Sequence, residues 1–333
     1  MSLDAVQRAN LHQAALRGLV KARWGDGERQ SGTFPGGATL REGTRGWVLA
    51  SDEPDRVLGR ALAWARQGGV EDLHVIVPEA AGAVARRAEA FVRPTTVWWA
   101  TGDQLQRAAA EPLAPTVPLP PEAEPFVDAI REAGADPVVE HGVLIGEVLG
   151  LEVVRVTVTE LGVDVEVGVG KHDREAQKLL RADRPPMDAL VDAVRAVRER
   201  RRPDAPSHPA NQLAAERWLR RTILDHPGVV GARRLEPVAP PRLRDDLRLP
   251  NPAPAAGEDV DGQPLLVVCS TGIDLGLVPT AVDARILDGR DPRLVLVVPD
   301  GDDHPVTRDL ASALLDPAEL VTVGRNWRAG LTP

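Results

Sequence analysis

Twice along the chain, short apolar strands alternate with helical segments, and this alternation restricts the fold more than any other feature. In the first stretch, Trp47 to Ser51 (WVLAS), Leu73 to Val77 (LHVIV) and Thr95 to Ala100 (TTVWWA) read as buried strands. Helices at Val57 to Gln67, stopped by Gly68–Gly69, and at Ala81 to Phe91 separate them. In the second, strands at Leu265 to Cys269 (LLVVC), Arg293 to Val298 (RLVLVV) and Glu319 to Val323 enclose helices at Leu277 to Leu287 and Thr307 to Leu315. Pro78 and Pro299 follow the two middle strands, and both stretches end in glycine, at Gly102 and Gly324, a punctuation that suggests an internal duplication. Short strands alternating with helices imply parallel sheets covered on both faces. The predicted fold class is α/β, with two βαβαβ (Rossmann-like, doubly wound) units flanking a central β-hairpin region.

The expected organisation is an N-terminal α/β unit over 1–110, a central β-rich segment over 120–185, a helical connector over 186–236 and a C-terminal α/β unit over 260–333. A helix with Val6, Leu11, Ala15, Leu16 and Leu19 on one stripe precedes the first unit. Gly25 to Gly46 reads as turns, with a short strand near Thr39. Two proline-rich joints, Glu111 to Pro125 and Pro237 to Ala256, read as linkers or rigid surface crossings. Between them, helices are expected at Phe126 to Ala133, Met187 to Arg202 and Asn211 to Leu224, the last with Leu213, Trp218 and Leu219 as its apolar face.

Composition excludes several classes. With 43% hydrophobic and 27% charged residues among 333, the chain is ordinary for a globular protein. A net charge of -9 argues against a generally basic nucleic-acid surface, although 40 Lys and Arg leave room for a local patch. Tyrosine is absent and aromatics are 3%, which leaves little for base-stacking platforms. Cys269 is the single cysteine, so no disulfide framework forms within the chain. No signal peptide or membrane-length apolar run is read, and a cytoplasmic location is expected.

The densest set of ionisable groups lies in Val143 to Glu175. Val163, Val165, Val167 and Val169 alternate with Asp164, Glu166, Gly168 and Gly170, which places both carboxylates on one strand face. By the same alternation, Glu152 is expected to share a face with Val154, Val156 and Val158 on the preceding strand. A turn at Glu160–Leu161–Gly162 joins the two strands, and Glu147 lies just upstream. Glu147, Glu152, Asp164 and Glu166 are therefore candidate oxygen ligands for a divalent cation such as Mg²⁺; a hairpin with a solvated carboxylate face is the alternative. Lys171 is the candidate stabiliser of a developing anion beside it.

The order helix, three strands, helix, with acids on the strands, resembles the core of the PD-(D/E)XK nuclease superfamily over roughly residues 120–185. The resemblance implies Mg²⁺-dependent phosphodiester hydrolysis, with Glu152 and Glu166 as the catalytic acids. Gly168 stands at the position of the family's lysine, and Lys171 would reach back from the helix start.

Other readings concern anions. The GVGKHDRE segment places Gly168 and Gly170 before a helix, a geometry that can form an anion nest, although His172 follows Lys171 where a phosphate loop needs Ser or Thr. A simple turn, with Asp173 capping the helix, accounts for the same residues. In CSTGIDLGLVP, Ser270, Thr271, Gly272 and Asp274 leave a buried strand for a helix, the usual ligand position in open α/β sheets; ordinary loop chemistry is the alternative. Cys269 is either a nucleophile, with His304 as a remote base, or a buried structural thiol. His208–Pro209 and His304–Pro305 read as helix-entry turns, and the RERRR run at Arg198 to Arg202 as either a phosphate contact or a solvated helix end. Two functions remain: a metal-dependent nuclease-like hydrolase, or a non-catalytic α/β protein. The first acts on nucleic acid; the second binds a protein partner, a further copy of itself, or a small anionic or nucleotide ligand.

Overall fold

The computed structural model describes residues 5–180, 185–204, 208–244, 247 and 249–331. The strands are β1 (Gln30–Phe34), β2 (Gly37–Glu42), β3 (Arg45–Ala50), β4 (Asp72–Val77), β5 (Thr95–Thr101), β6 (Gln104–Arg107), β7 (Asp136–Glu140), β8 (Val143–Val148), β9 (Leu151–Thr159), β10 (Gly162–Val167), β11 (Ala232–Pro237), β12 (Ala253–Asp259), β13 (Pro264–Cys269), β14 (Arg293–Pro299) and β15 (Glu319–Val323). The helices are α1 (Ala5–Trp24), α2 (Val57–Gln67), α3 (Ala81–Ala88), α4 (Pro125–Glu132), α5 (Gly170–Leu180), α6 (Pro186–Arg200), α7 (Pro209–Gln212), α8 (Ala215–Asp225), α9 (Leu277–Asp288) and α10 (Pro305–Ser312). The chain is α/β with three open sheets. It divides into two compact units: residues up to 114 with 275–283 and 304–318, and the remainder.

The first unit carries a six-stranded sheet in chain order, β1 to β6. β3, β4 and β5 are parallel and linked through α2 and α3; β1–β2–β3 and β5–β6 are antiparallel. The glycine-rich stretch that reads as turns is therefore a meander. Its apolar positions Ala38 and Leu40 join Leu16, Leu19 and Val20 of α1 in one core with Trp47, Ile76 and Trp98. Trp24 caps this core, edge-on to Trp47 and Trp98 at 5.5 and 5.3 Å. Arg86 and Arg87 of α3 both reach the fully buried Asp283, at 3.0 and 2.6 Å.

In the second unit one sheet is antiparallel, in the order β10-β9-β8-β7, and the other runs β11 to β15 in order. In the latter, β13, β14 and β15 are parallel and β11 and β12 antiparallel. Both larger sheets are thus mixed, where short alternating strands had implied parallel ones. The last four residues of the second proline-rich joint belong to β12 itself, with Pro254 near the strand start and its register running antiparallel to β13. The expected helix at Asn211 to Leu224 breaks in two, because Leu213 is extended and Ala214 left-handed. The break sends Leu213 to the core of the antiparallel sheet, while Trp218, Leu219 and Ile223 pack on the mixed one.

Arg201 fastens the break. Its Nε donates to the Leu149 carbonyl at 2.8 Å, its other nitrogens donate to the carbonyls of Ala210, Leu213 and Ala214, and its guanidinium stacks on Trp218 at 4.5 Å. Gly150, at φ 76°, allows the β8–β9 turn to meet α8: a Cβ there would lie 2.3 Å from the Arg217 carbonyl carbon.

Candidate functional site

The antiparallel sheet has one apolar and one carboxylate-rich face. Leu144, Val154, Val156 and Val167 point to the core built with Ile130 of α4 and Leu190, Val194 and Val197 of α6. The other face carries Asp136 and Glu140 on β7, Glu147 on β8, Glu152 and Arg155 on β9, and Asp164 and Glu166 on β10. Strict alternation places Glu152 on the apolar face, and the structure corrects this. A bulge between Gly146 and Glu147 leaves Val153 as an extra residue, so that Gly146 pairs with Val154 but Glu147 with Glu152. One inserted residue turns Glu152 onto the polar face beside Glu147.

Arginines meet these acids. From α8, Arg217 lies 2.5 Å from Glu140 and 3.1 Å from Glu147, Arg220 lies 2.8 Å from Glu147, and Arg221 lies 3.1 Å from Asp136. Burial alone would push the Glu147 carboxyl up, but Arg220 and Arg217 together outweigh it and hold Glu147 below the usual carboxylate range. Glu140 shares Arg217 with Glu147, and there burial prevails and raises its pKa. Burial likewise raises Asp136 against the opposing pull of Arg221.

Nearer the open edge, Arg155 holds Glu152 through two bonds of 2.9 Å, and Arg174 of α5 adds a third at 2.9 Å. The Arg174 Nε also lies 3.3 Å from Glu166. Glu152 and Glu166 therefore converge once the bulge has turned Glu152, but on a guanidinium. A cation at this point would have to displace Arg174, so the donor set as it stands does not fit a divalent metal. Among the described residues, no group of three or more His, Cys, Asp or Glu is arranged to hold one. Lys171 is not part of the cluster: its side chain is 80% exposed, with Glu175 at 4.0 Å. Gly168, at the position of the nuclease lysine, has φ 141°, and a Cβ there would lie 2.9 Å from both the Arg174 amide and the Asp173 carboxylate. That carboxylate accepts from Val169 N at 2.7 Å, closing the turn into α5. The His172 side chain lies outside the described residues.

At the end of β13, Ser270 is fully buried, and its hydroxyl has no hydrogen-bond partner among the described residues. The Gly272 amide donates to Asp302 at 2.7 Å, so the donor expected to meet a ligand anion already holds a carboxylate of the chain. Thr271 and Asp274 are half-buried beside it. Cys269 is fully buried, and burial pushes its thiol up to about 12. His208 and His304 accept from the amides of Ala210 and Val306 and so cap α7 and α10.

No family model, curated protein or solved structure matches this chain. No helix among the described residues is long and apolar enough to cross a membrane.

The site that sequence reasoning missed is a pocket of about 820 Å³ in the first unit. Leu62 and Arg66 of α2, Phe91 to Pro94 before β5, and Val306, Asp309 and Leu310 of α10 line it. Val92 N donates to Ala313 O at 2.9 Å and Leu315 N to Ala90 O at 2.8 Å, which ties the chain after α10 to the α3–β5 loop. Arg66 bridges to Asp309 at 2.8 Å. Its walls come from segments more than two hundred residues apart, so no local spacing announces it.

Proposed function

We propose that this chain is a non-catalytic ligand-binding protein that takes a small organic molecule in the first-unit pocket. In this reading the carboxylate-rich sheet face is a set of structural ion pairs. The pocket carries the proposal: about 820 Å³ is the size of an ordinary small-molecule site, and its lining is apolar with a few charged groups. The pairing of Asp136, Glu140, Glu147, Glu152 and Glu166 with arginines supports the structural role. We read the parallel β3–β4–β5 and β13–β14–β15 segments as Rossmann-like, each extended by antiparallel strands.

A thermal-shift screen of small organic molecules tests the proposal on wild type and on Val306→Trp, which fills the pocket. Ligands that stabilise wild type and lose their effect in Val306→Trp are the expected result. Ligands indifferent to the substitution would place binding elsewhere.

The second reading is a Mg²⁺-dependent, nuclease-like hydrolase of phosphodiesters, favoured by the convergence of Glu152 and Glu166 on one point. It requires Arg174 to yield that point to the metal. Calorimetry with Mg²⁺ or Mn²⁺ separates the two readings. A saturable heat in wild type that Glu166→Ala abolishes would favour the hydrolase; no saturable heat is expected for the binding protein.

A further inference from the structure

Resting on the reading of the first-unit pocket as a small-molecule site, we propose that its ligand is a largely apolar molecule with one anionic group held by Arg93. Phe91 and Leu310, 4% and 5% exposed, form the apolar floor with Val306. Arg93 enters the same wall between Val92 and Pro94 and is itself half-buried. Its Nη1 donates to the Val70 carbonyl, and among the described residues it has no carboxylate partner. This sets it apart from other arginines of the chain. Arg66, which also lines the pocket, is paired with Asp309 at 2.8 Å, and the buried Arg87, Arg217 and Arg220 each face a carboxylate within 2.8 Å.

A guanidinium presents five donors in a planar fork, and Arg93 commits one of them to protein. A half-buried cation beside an apolar wall is unfavourable until an anion meets it. The fork fits the paired oxygens of a carboxylate, sulfonate or phosphate. His304 also lines the pocket, and its Nδ1 accepts from Val306 N, which leaves Nε2 as its ring donor. Of the two lining carboxylates, Asp309 is held by Arg66, and Glu71 sits exposed at the rim where solvent screens it. The ligand therefore needs an apolar body for the floor and one anionic end for Arg93.

Two fluorescent probes with a common aromatic skeleton test this: anilinonaphthalene sulfonate, which carries an anion, and N-phenylnaphthylamine, which is neutral. Both are titrated into the unsubstituted chain, into Arg93→Gln and into Val306→Trp, with a thermal melt confirming that each variant is folded. The expected result is saturable sulfonate binding that weakens by on the order of tenfold in Arg93→Gln, with the neutral probe unaffected by that substitution. Equal binding of both probes, unchanged by Arg93→Gln but lost in Val306→Trp, would overturn the anionic class while leaving the pocket in place. No saturable binding of either probe, or binding indifferent to Val306→Trp, would overturn both.

Discussion

Replacing Arg220 by methionine probes the central claim about the carboxylate-rich face, that its charges hold the second unit together in pairs. Arg220 and Glu147 are 1% and 3% exposed, and their nearest charged atoms are 2.8 Å apart. At an effective dielectric constant of about 20, such a contact carries about 6 kcal/mol of attraction. The substitution also relieves the desolvation of Arg220, which is several kcal/mol in its own right. Arg217 remains 3.1 Å from Glu147 as a second partner. The net loss should therefore fall near the lower end of the range for breaking a buried pair, about 3 kcal/mol. Urea denaturation followed by circular dichroism measures it.

Two further outcomes belong to the same mechanism. Glu147→Gln combined with Arg220→Met should be less destabilising than Arg220→Met alone, because the stranded charge has gone. The pH dependence should also change. Glu147 is held low in the folded protein, so its contribution is present above its unfolded pKa and is lost as the pH falls through the folded one. With Arg220 gone, burial is less opposed and the folded pKa rises. The gap between wild type and variant should then shrink as the pH falls towards the ordinary Glu value of 4.5 and Glu147 takes up a proton in the variant. A loss below about 1 kcal/mol, or a gap that stays constant with pH, would refute the reasoning.

The remaining predictions concern single sites. Gly168→Ala forces a side chain into a left-handed position 2.9 Å from the Arg174 amide and should destabilise by about 2 kcal/mol; Gly168→Lys should do no better and should bring no phosphodiesterase activity, measured on a fluorogenic diester. Cys269, buried with its thiol pushed up to about 12, should stay unmodified by a thiol reagent near neutral pH until the protein is unfolded. His74 is held below its ordinary value of 6.5 mainly by burial, against the opposing pull of Asp72. Its stabilising effect is complete above 6.5 and is lost as the pH falls towards the lowered value, so the melting temperature should drop on acidification, and less steeply in His74→Gln.

Much of the fold could be read from local pattern, because the parallel strands are continuous apolar runs with glycine or proline at their ends. The expected helix at Val57 to Gln67 and strand at Glu319 to Val323 coincide with α2 and β15. What escaped is set by tertiary pairing. β1 is a polar strand, QSGTF, whose extended form is fixed by its ladder with β2 and not by its own propensity. β12 begins in an Ala-Pro run that earns strand geometry only from its neighbours β11 and β13. The α7–α8 break likewise depends on Arg201, which takes the carbonyls the kink releases.

The carboxylate-rich face shows how a site can be half legible. Alternation alone places Asp164 and Glu166 together, since β10 pairs with β9 without interruption. It fails for Glu152 because a bulge is invisible to a period of two, and one unpaired residue reverses every side chain beyond it. It fails more deeply for the meaning of the cluster. A run of acids on adjacent strands looks the same whether it faces a cation or a row of guanidinium groups, and the deciding residues sit at a distance: Arg174 on α5, and Arg217, Arg220 and Arg221 on α8. On α8 those arginines interleave with Trp218, Leu219 and Ile223, so the helix turns its apolar stripe to the mixed sheet and its guanidinium groups to the antiparallel one. A helix with arginines this close to its apolar stripe signals a layer between two sheets, one of which must supply the matching acids. Had the carboxylates been meant for solvent or metal alone, three buried or half-buried arginines facing them would have been an unfavourable choice at every position.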